Sequence, residues 1–82
     1  MTDSTFNGWA NWETWNVSLW VQNEYGLYRI ARRFMRTYTG SNAWRDLIAD
    51  GDLPMVTPDG AAMDDPALDL EELDEMLAEL AS

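Results

Sequence analysis

The ionisable side chains of this chain are almost all carboxylates and guanidinium groups, which limits the chemistry that they could perform. Its 82 residues include no His, no Cys and no Lys. The chain therefore lacks the usual general base at neutral pH, a thiol nucleophile, a Schiff-base amine and the nitrogen or sulfur ligands of zinc sites. Only carboxylate chemistry remains.

Five aspartates in turn-like segments are the candidates for binding Mg²⁺ or Ca²⁺: Asp50, Asp52, Asp59, Asp64 and Asp65. The Asp50-Gly51-Asp52 string has neither the spacing nor the terminal bidentate glutamate of an EF-hand loop. Carboxylates in turns are usually solvated. We therefore predict no catalytic residue, no metal and no cofactor, and a protein that is not an enzyme.

Charge is distributed very unevenly along the chain. The net charge is −10, yet residues 1–45 carry five arginines against three carboxylates, whereas residues 46–82 carry twelve carboxylates and no base. Two predicted helices concentrate these charges. One presents an acidic face of Glu71, Glu72, Asp74, Glu75 and Glu79, and another presents an arginine stripe of Arg29, Arg32, Arg33 and Arg36.

The acidic face has two interpretations. A packed amphipathic helix with a soluble outer side explains its carboxylates without any function. Alternatively, carboxylates on a rigid helix mimic the phosphates of nucleic acid and dock on a basic surface of a partner protein. Such charge complementarity speeds association and makes it sensitive to salt.

The arginine stripe leaves several alternatives open. It is a solvated helix face, it pairs internally with the acidic helix, or it contacts nucleic acid or an acidic partner. Direct contact with nucleic acid is disfavoured by the net charge, because the acidic half repels phosphate. Self-association is a further alternative, in which the stripe of one copy meets the acidic helix of another.

Four tryptophans lie within twelve residues: Trp9, Trp12, Trp15 and Trp20. A small chain needs large aromatic side chains to build a core. Helical spacing predicts that Trp12, Trp15 and Trp20 belong to that core. Trp9 precedes the helix and is the candidate for a partly exposed anchor, since tryptophan is enriched at interfaces.

The elements that must position these residues are predicted to be three to four short helices around a Trp-rich core, an all-α fold. The first helix is expected over 12–24 with Asn11 as its N-cap, and Gly26 as its stop. The second is expected over 27–38. A third is expected to begin with Ser41 as its N-cap, to contain Trp44 as a core residue and to stop at Gly51.

The last part of the chain is predicted to contain a turn segment and a fourth helix. Pro58-Asp59-Gly60 indicates a tight turn, and a minimal β-hairpin is expected near 55–63. Asp69 and Glu72 form a capping-box pattern, and the helix after them is expected to reach about Leu80.

The domain organisation follows from this pattern. Residues 1–6 are predicted to be a disordered N-terminus and residues 7–82 a single small helical domain. The sequence shows no signal-peptide pattern and no apolar run long enough to span a membrane. A cytoplasmic protein without membrane contact is therefore expected.

The tryptophan-rich block also carries a resemblance. Residues 7–28 follow the pattern NGW-x-N-[YW]-x-TW-x-x-x-LW-x-x-N-[DE]-x-G-LY. This pattern resembles a family of small uncharacterised proteins encoded by phages, plasmids and their bacterial or archaeal hosts. The later Thr57-Pro58-Asp59-Gly60 and Asp65-Pro66 pieces are similar to members of that family. The resemblance implies no activity and no catalytic residue, and it implies a viral or mobile-element accessory protein.

Two hypotheses of function follow. The first is a non-catalytic, acidic, phage-type protein that binds and inhibits a host protein in the host cytoplasm. An anti-CRISPR or other anti-defence inhibitor that acts on a nucleic-acid-handling complex through the acidic helix is its specific form. The alternative is a nucleic-acid-binding or regulatory domain that uses the arginine stripe.

Overall fold

Four helices make up most of the chain between residues 6 and 81, the residues that this computed structural model describes. They are α1 (Trp12–Asn23), α2 (Tyr25–Arg36), α3 (Ala43–Asp50) and α4 (Leu70–Ala81). In this range β pairing is limited to two isolated bridges, so the predicted all-α fold is confirmed. None of the four helices combines the length and the apolar composition needed to cross a membrane.

The chain is packed into the domain from Phe6 onward. Phe6 and Trp9 exchange backbone hydrogen bonds of 2.7 and 2.8 Å. The turn between them places Asn7 and Gly8 at φ values of 51° and 88°, a geometry that Asn-Gly pairs favour. The Phe6 ring lies 4.8 Å from the ring of Trp15. Phe6 therefore belongs to the domain and not to the predicted disordered terminus, whose residues 1–5 lie outside the described residues.

A single residue, Glu24, separates α1 from α2. Its backbone is extended, and its carboxylate accepts a 3.0 Å hydrogen bond from the Leu27 amide, which caps α2. The prediction that Gly26 stops the first helix is therefore wrong. Gly26 lies in the first turn of α2, because a carboxylate acceptor can begin a new helix without an intervening loop. The predicted cap of α1 is confirmed, since Asn11 accepts a 2.8 Å bond from the Thr14 amide.

The N-terminus of α3 is capped from another helix. Asp74 of α4 accepts a hydrogen bond of 2.7 Å from the Trp44 amide, and no side chain just before α3 makes a cap bond. The predicted cap at Ser41 is therefore wrong. Gly51 ends α3 as predicted, with a φ of 86° that glycine adopts without strain.

The segment between α3 and α4 contains the predicted hairpin in minimal form. Val56 forms one antiparallel bridge with Ala62. The Thr57 amide donates to the Ala61 carbonyl at 2.8 Å, which closes the turn over residues 58–60. This turn folds back over α1.

The capping box predicted at the start of α4 is only half formed. The Asp69 carboxylate accepts from the Glu72 amide at 3.1 Å, as the pattern requires. The reciprocal bond, from the Asp69 amide to the Glu72 carboxylate, is replaced by tertiary contacts. The Asp69 amide donates instead to the Thr14 hydroxyl at 2.9 Å. The Glu72 carboxylate accepts instead from the Ala10 amide.

The core lies where α2 and α4 pack against each other and against α1 and α3. Trp44 is buried there as predicted, with 1% of its surface exposed. Its indole N–H donates to the Met63 carbonyl at 2.9 Å. The other core side chains that are at most 2% exposed are Val17, Val21, Ala31, Leu47, Ala61, Met63, Leu73 and Leu77.

The buried face of α1 is not the one that the tryptophans indicated. The helix buries Thr14, Asn16, Val17, Ser18 and Val21. At about 100° per residue, most of this face lies opposite Trp12 and Trp15. Trp12 is 37% exposed, and Trp15 and Trp20 are half-buried. The prediction that these three form the core is wrong for Trp12, and the half-buried Trp15 and Trp20 are not among the residues that form the core either. Small side chains on the buried face let α1 approach its neighbours more closely than indoles would.

Candidate functional site

Glu72 and Asp74, which belong to the five carboxylates predicted to bind a partner, accept hydrogen bonds from backbone amides of distant segments. Glu72 accepts a hydrogen bond of 2.8 Å from the Ala10 amide, and Asp74 accepts the bond from α3 described above. Both side chains are half-buried. Charge-assisted bonds of this kind fasten the N-terminal turn and α3 to α4. Glu72 and Asp74 therefore hold the fold together, and the predicted acidic face is reduced to three residues.

The other three carboxylates form an acidic ridge, Glu71, Glu75 and Glu79, on the outside of α4. All three are exposed. Intervals of four residues place them on nearly the same side of the helix, about 6 Å apart along its axis. The side chains of Glu71 and Glu75 make no hydrogen bond or ion pair with the residues that the structure describes. Their carboxylates are therefore available to a partner.

The predicted anchor Trp9 lies beside this ridge. Trp9 is half-buried and packs against the core, so one part of its indole is supported and another is accessible. A depression of about 260 Å³ separates the N-terminal turn from α4. We call it the acidic groove, and its lining residues are Gly8, Trp9, Gln22, Glu72, Glu75, Met76 and Glu79. The fold thus joins two features that the sequence predicted separately.

The lining of the acidic groove fits a cationic side chain. The face of an indole attracts Lys or Arg within about 6 Å of the ring centre. A carboxylate accepts paired hydrogen bonds from a guanidinium group. The groove therefore offers both an aromatic contact and neutralising charge to the same group.

A polar network that sequence reasoning missed joins α1 to the turn at residues 57–60. Asn16 is fully buried, and its carbonyl oxygen accepts from the Thr57 hydroxyl at 2.6 Å. Its amide donates to the Asp59 carboxylate at 2.9 Å, and the Trp20 indole donates to the same oxygen at 2.9 Å. The signal in the sequence was a polar residue inside a helix together with a distant Thr-Pro-Asp-Gly turn.

The stability of the network is expected to depend on pH through Asp59. The hydrogen bonds from Asn16 and then Trp20 hold the pKa of Asp59 below its ordinary value of 3.8. A lowered pKa in the folded state means that the stabilisation is complete above pH 3.8 and is lost as the pH falls through the lower, folded-state pKa. An Asp59→Asn variant should therefore be less stable than the wild type at pH 7, with the difference shrinking below pH 3.8. Denaturant titrations at several pH values measure this, and a difference that is constant with pH would contradict it.

Tyr38 joins the end of α2 to α3. Its hydroxyl donates to the Asp46 carboxylate at 2.5 Å and accepts from the Asn42 amide at 3.0 Å. The bond to Asp46 is the main reason that the pKa of Tyr38 is raised above its ordinary value of 10.0. A Cβ atom at Gly40 would overlap the Tyr38 hydroxyl, so glycine at this position allows the contact.

The arginine stripe of α2 is exposed along its whole length, at Arg29, Arg32, Arg33 and Arg36. The Arg33 guanidinium lies 3.7 Å from Asp52, and these side chains are 67% and 52% exposed. This ion pair joins α2 to the loop after α3 and not to the acidic helix α4. An exposed pair contributes only about 0–1 kcal/mol, so it leaves Arg33 largely free to move.

Two tyrosines to which the sequence gave no role share the surface of the arginines. Tyr25 is 70% exposed, and the Arg29 guanidinium lies 5.7 Å from the centre of its ring. The Tyr28 hydroxyl accepts from Arg32 at 3.1 Å. The tyrosines and the arginines face a wide depression of about 720 Å³. Its lining residues are Tyr25, Tyr28, Arg29, Arg32, Arg33, Arg36 and Ala81.

Three of the five aspartates considered as metal ligands interact with different groups. Asp52 lies near Arg33, Asp59 binds Asn16, and Asp65 accepts from the Ala67 amide at 2.8 Å. Within residues 6–81 no three acidic groups converge in a way that could hold a metal ion.

Comparison with known proteins finds one matching family. A family model matches residues 2–82, which include all four helices, the acidic groove and the arginine stripe. No curated protein and no solved structure matches the chain. The match agrees with the resemblance to an uncharacterised family and assigns no activity. The chain belongs to a family of unknown function, DUF7249.

Proposed function

We propose that this protein is a non-catalytic binding protein whose acidic groove takes a cationic segment of another protein. The observation that supports this most directly is the position of Trp9 beside Glu75 and Glu79. Carboxylates on a helix are common on soluble surfaces and carry little information alone. An accessible indole supported by the core, with carboxylates across the same depression, has the composition of a binding site for Lys or Arg.

The partner class follows from the charges. Proteins that handle nucleic acid present rows of Lys and Arg to the phosphate backbone. The acidic ridge would cover such a row, and the bound protein would lose access to its nucleic acid. Inhibition of a host nucleic-acid-handling protein in the host cytoplasm, as by an anti-CRISPR or other anti-defence protein, is the specific form of the proposal. The phage or mobile-element context rests on the resemblance of residues 8–28.

Long-range electrostatics favour this direction of binding. The twelve carboxylates of residues 46–82, without any base, attract a cationic partner before contact. Such steering raises the association rate and weakens as salt is added. The groove then supplies the short-range contacts that steering lacks.

The proposal predicts that neutralising the ridge weakens binding of a cationic peptide about tenfold. The variant is Glu71→Gln/Glu75→Gln, because neither side chain makes a hydrogen bond or ion pair with the described residues. The probe is a fluorescein-labelled oligo-arginine peptide, and fluorescence anisotropy at low salt gives the dissociation constant. Trp9→Leu should weaken binding as well, because it removes the aromatic face while the charge stays unchanged.

A matched control separates the groove from the general acidity of the chain. Asp50→Asn/Asp64→Asn removes the same charge at two exposed positions outside the groove. We expect this control to change the affinity less than about twofold. Equal losses in the two double variants would contradict the groove as the binding site. The two pairs of variants can then be compared in capture of a partner from host lysate.

A further inference from the structure

We propose that the arginine–tyrosine face of α2 binds single-stranded nucleic acid, at a site separate from the acidic groove. We define this face by the six residues Tyr25, Tyr28, Arg29, Arg32, Arg33 and Arg36. All six line the same depression, which includes no carboxylate among its lining residues. In a chain with a net charge of −10, a depression lined by four guanidinium groups is a local region of positive charge.

The arginines have the spacing of a backbone contact. Arg29, Arg32 and Arg36 follow one another by three and four residues, so they lie along one side of α2. They cover roughly 10 Å of helix axis. Guanidinium groups bind phosphate through paired hydrogen bonds. The bond from Arg32 to the Tyr28 hydroxyl, at 3.1 Å, holds one of these groups in place before any ligand arrives.

The tyrosines indicate unpaired bases. Tyr25 is 70% exposed, so its ring is accessible to a ligand. Bases in a duplex are stacked inside it, whereas bases of a single strand can stack on an exposed aromatic ring. A ring beside arginines is the combination that single-strand-binding surfaces use.

A second depression extends the aromatic surface beyond Tyr25. It measures about 360 Å³ and is lined by Leu19, Trp20, Asn23, Glu24 and Tyr25. Tyr25 lines both depressions, so they lie on either side of one exposed ring. Trp20 is half-buried and its indole N–H is held by Asp59, which leaves a fixed ring next to Tyr25. A strand bound along the arginines can therefore place further bases here.

The acidic half of the chain does not cancel this face. Charges more than about 8 Å away are largely screened at physiological salt. Asp52 lies 3.7 Å from Arg33, but the groups that line the face itself are cationic or neutral. The net charge lowers the long-range attraction, so a modest affinity with a steep salt dependence is expected.

Anisotropy with a fluorescein-labelled oligothymidylate tests the proposal in the full-length protein. At about 50 mM salt we expect binding that is at least tenfold tighter than to a duplex of the same length. Arg29→Gln/Arg36→Gln should weaken binding at least tenfold and lower the slope of log K against log salt by about 1.4, or 0.7 for each lost contact. Tyr25→Ala should weaken binding by about 5- to 100-fold without changing the slope.

Three control variants test whether the effect is specific to the face. Arg45→Gln removes an exposed arginine that does not line the face, and we expect a change below about twofold. Glu71→Gln/Glu75→Gln alters the acidic ridge and should not weaken the binding of the oligonucleotide. Tyr25→Phe should retain most of the affinity because it keeps the ring.

Several outcomes would overturn the proposal. They are an absence of binding at low salt, a duplex bound as tightly as the single strand, or full affinity in Tyr25→Ala. Displacement of the oligonucleotide by an equal charge of poly-glutamate would also overturn it, because the face would then be a site for an acidic protein. Circular dichroism of each variant shows whether a loss of binding reflects a loss of fold.

Discussion

An Asn16→Ala variant is expected to lose about 3 kcal/mol of its free energy of unfolding. Asn16 is fully buried. It accepts a bond from the Thr57 hydroxyl and donates one to the Asp59 carboxylate. Alanine would remove both bonds, leave the buried Thr57 hydroxyl with one partner fewer and open a small void in the interface between α1 and the turn. Urea denaturation at pH 7 measures the loss as a shift of the midpoint at constant slope.

The matched control is another asparagine of the same helix. Asn23 is exposed, and its amide donates to the Leu19 carbonyl within α1 at 2.9 Å. Asn23→Ala should cost less than about 0.5 kcal/mol. If Asn16→Ala cost no more than Asn23→Ala, the buried network would have no role in stability. A double variant with Asp59→Asn should lose less than the sum of the single variants, because both changes break the same bond.

Replacing Trp44 by alanine is expected to cost about 3–5 kcal/mol. Trp44 is 1% exposed, and its indole N–H donates to the Met63 carbonyl. The change would open a large cavity between α3 and the following segment and leave a carbonyl without its donor. A domain of this length has a total stability of roughly 4–12 kcal/mol. The variant should therefore be largely unfolded or much less stable at 25 °C, as shown by circular dichroism and denaturation.

Trp12 is a tryptophan that the sequence predicted to be in the core and that the structure shows to be exposed. With 37% of its surface exposed, Trp12→Ala should cost less than about 1 kcal/mol. A loss in Trp12→Ala as large as the loss in Trp44→Ala would mean that Trp12 belongs to the core after all. Both variants remove the same side chain, so the comparison isolates the effect of its surroundings.

Local chemistry made much of the secondary structure predictable. Asn11 begins α1 because its side chain can bond the amide of Thr14, and Gly51 ends α3 because it can adopt a positive φ. The regular alternation of arginines and apolar residues in α2 revealed both of its faces. Each of these features depends on residues within about four positions of one another, which is the range over which a sequence pattern is informative.

Several errors arose where distant residues competed for the same groups, although the error at Gly26 arose from a local cap by Glu24. Glu72 was expected to complete a local capping box, but it binds the Ala10 amide. Ser41 was expected to cap α3, but Asp74 serves that helix from α4. In α1, polar residues occupy the buried face because partners far along the chain satisfy them. A sequence pattern cannot show such partners, since nothing local marks them.

The two proposed binding surfaces differ in how far they could be predicted from the sequence. The arginine stripe could be drawn from helical spacing alone, although the role of Tyr25 could not, because its exposure depends on how α1 and α2 meet at Glu24. The acidic groove could be recognised only in the tertiary structure. It combines Trp9 with Glu75 and Glu79, which come from opposite ends of the chain.

Composition and short-range spacing by themselves determined the all-α class, the capped start of α1, the charges of α2 and α4, and the absence of His, Cys and Lys chemistry. Only the tertiary structure decided which carboxylates support the fold, which tryptophan is buried and which residues share a groove. The physical reason is that helix formation depends mainly on neighbours within one or two turns. Burial and hydrogen-bond partners depend on which surfaces meet, and in this chain Trp44 and its partner Asp74 are 30 residues apart and Ala10 and its partner Glu72 are 62 residues apart.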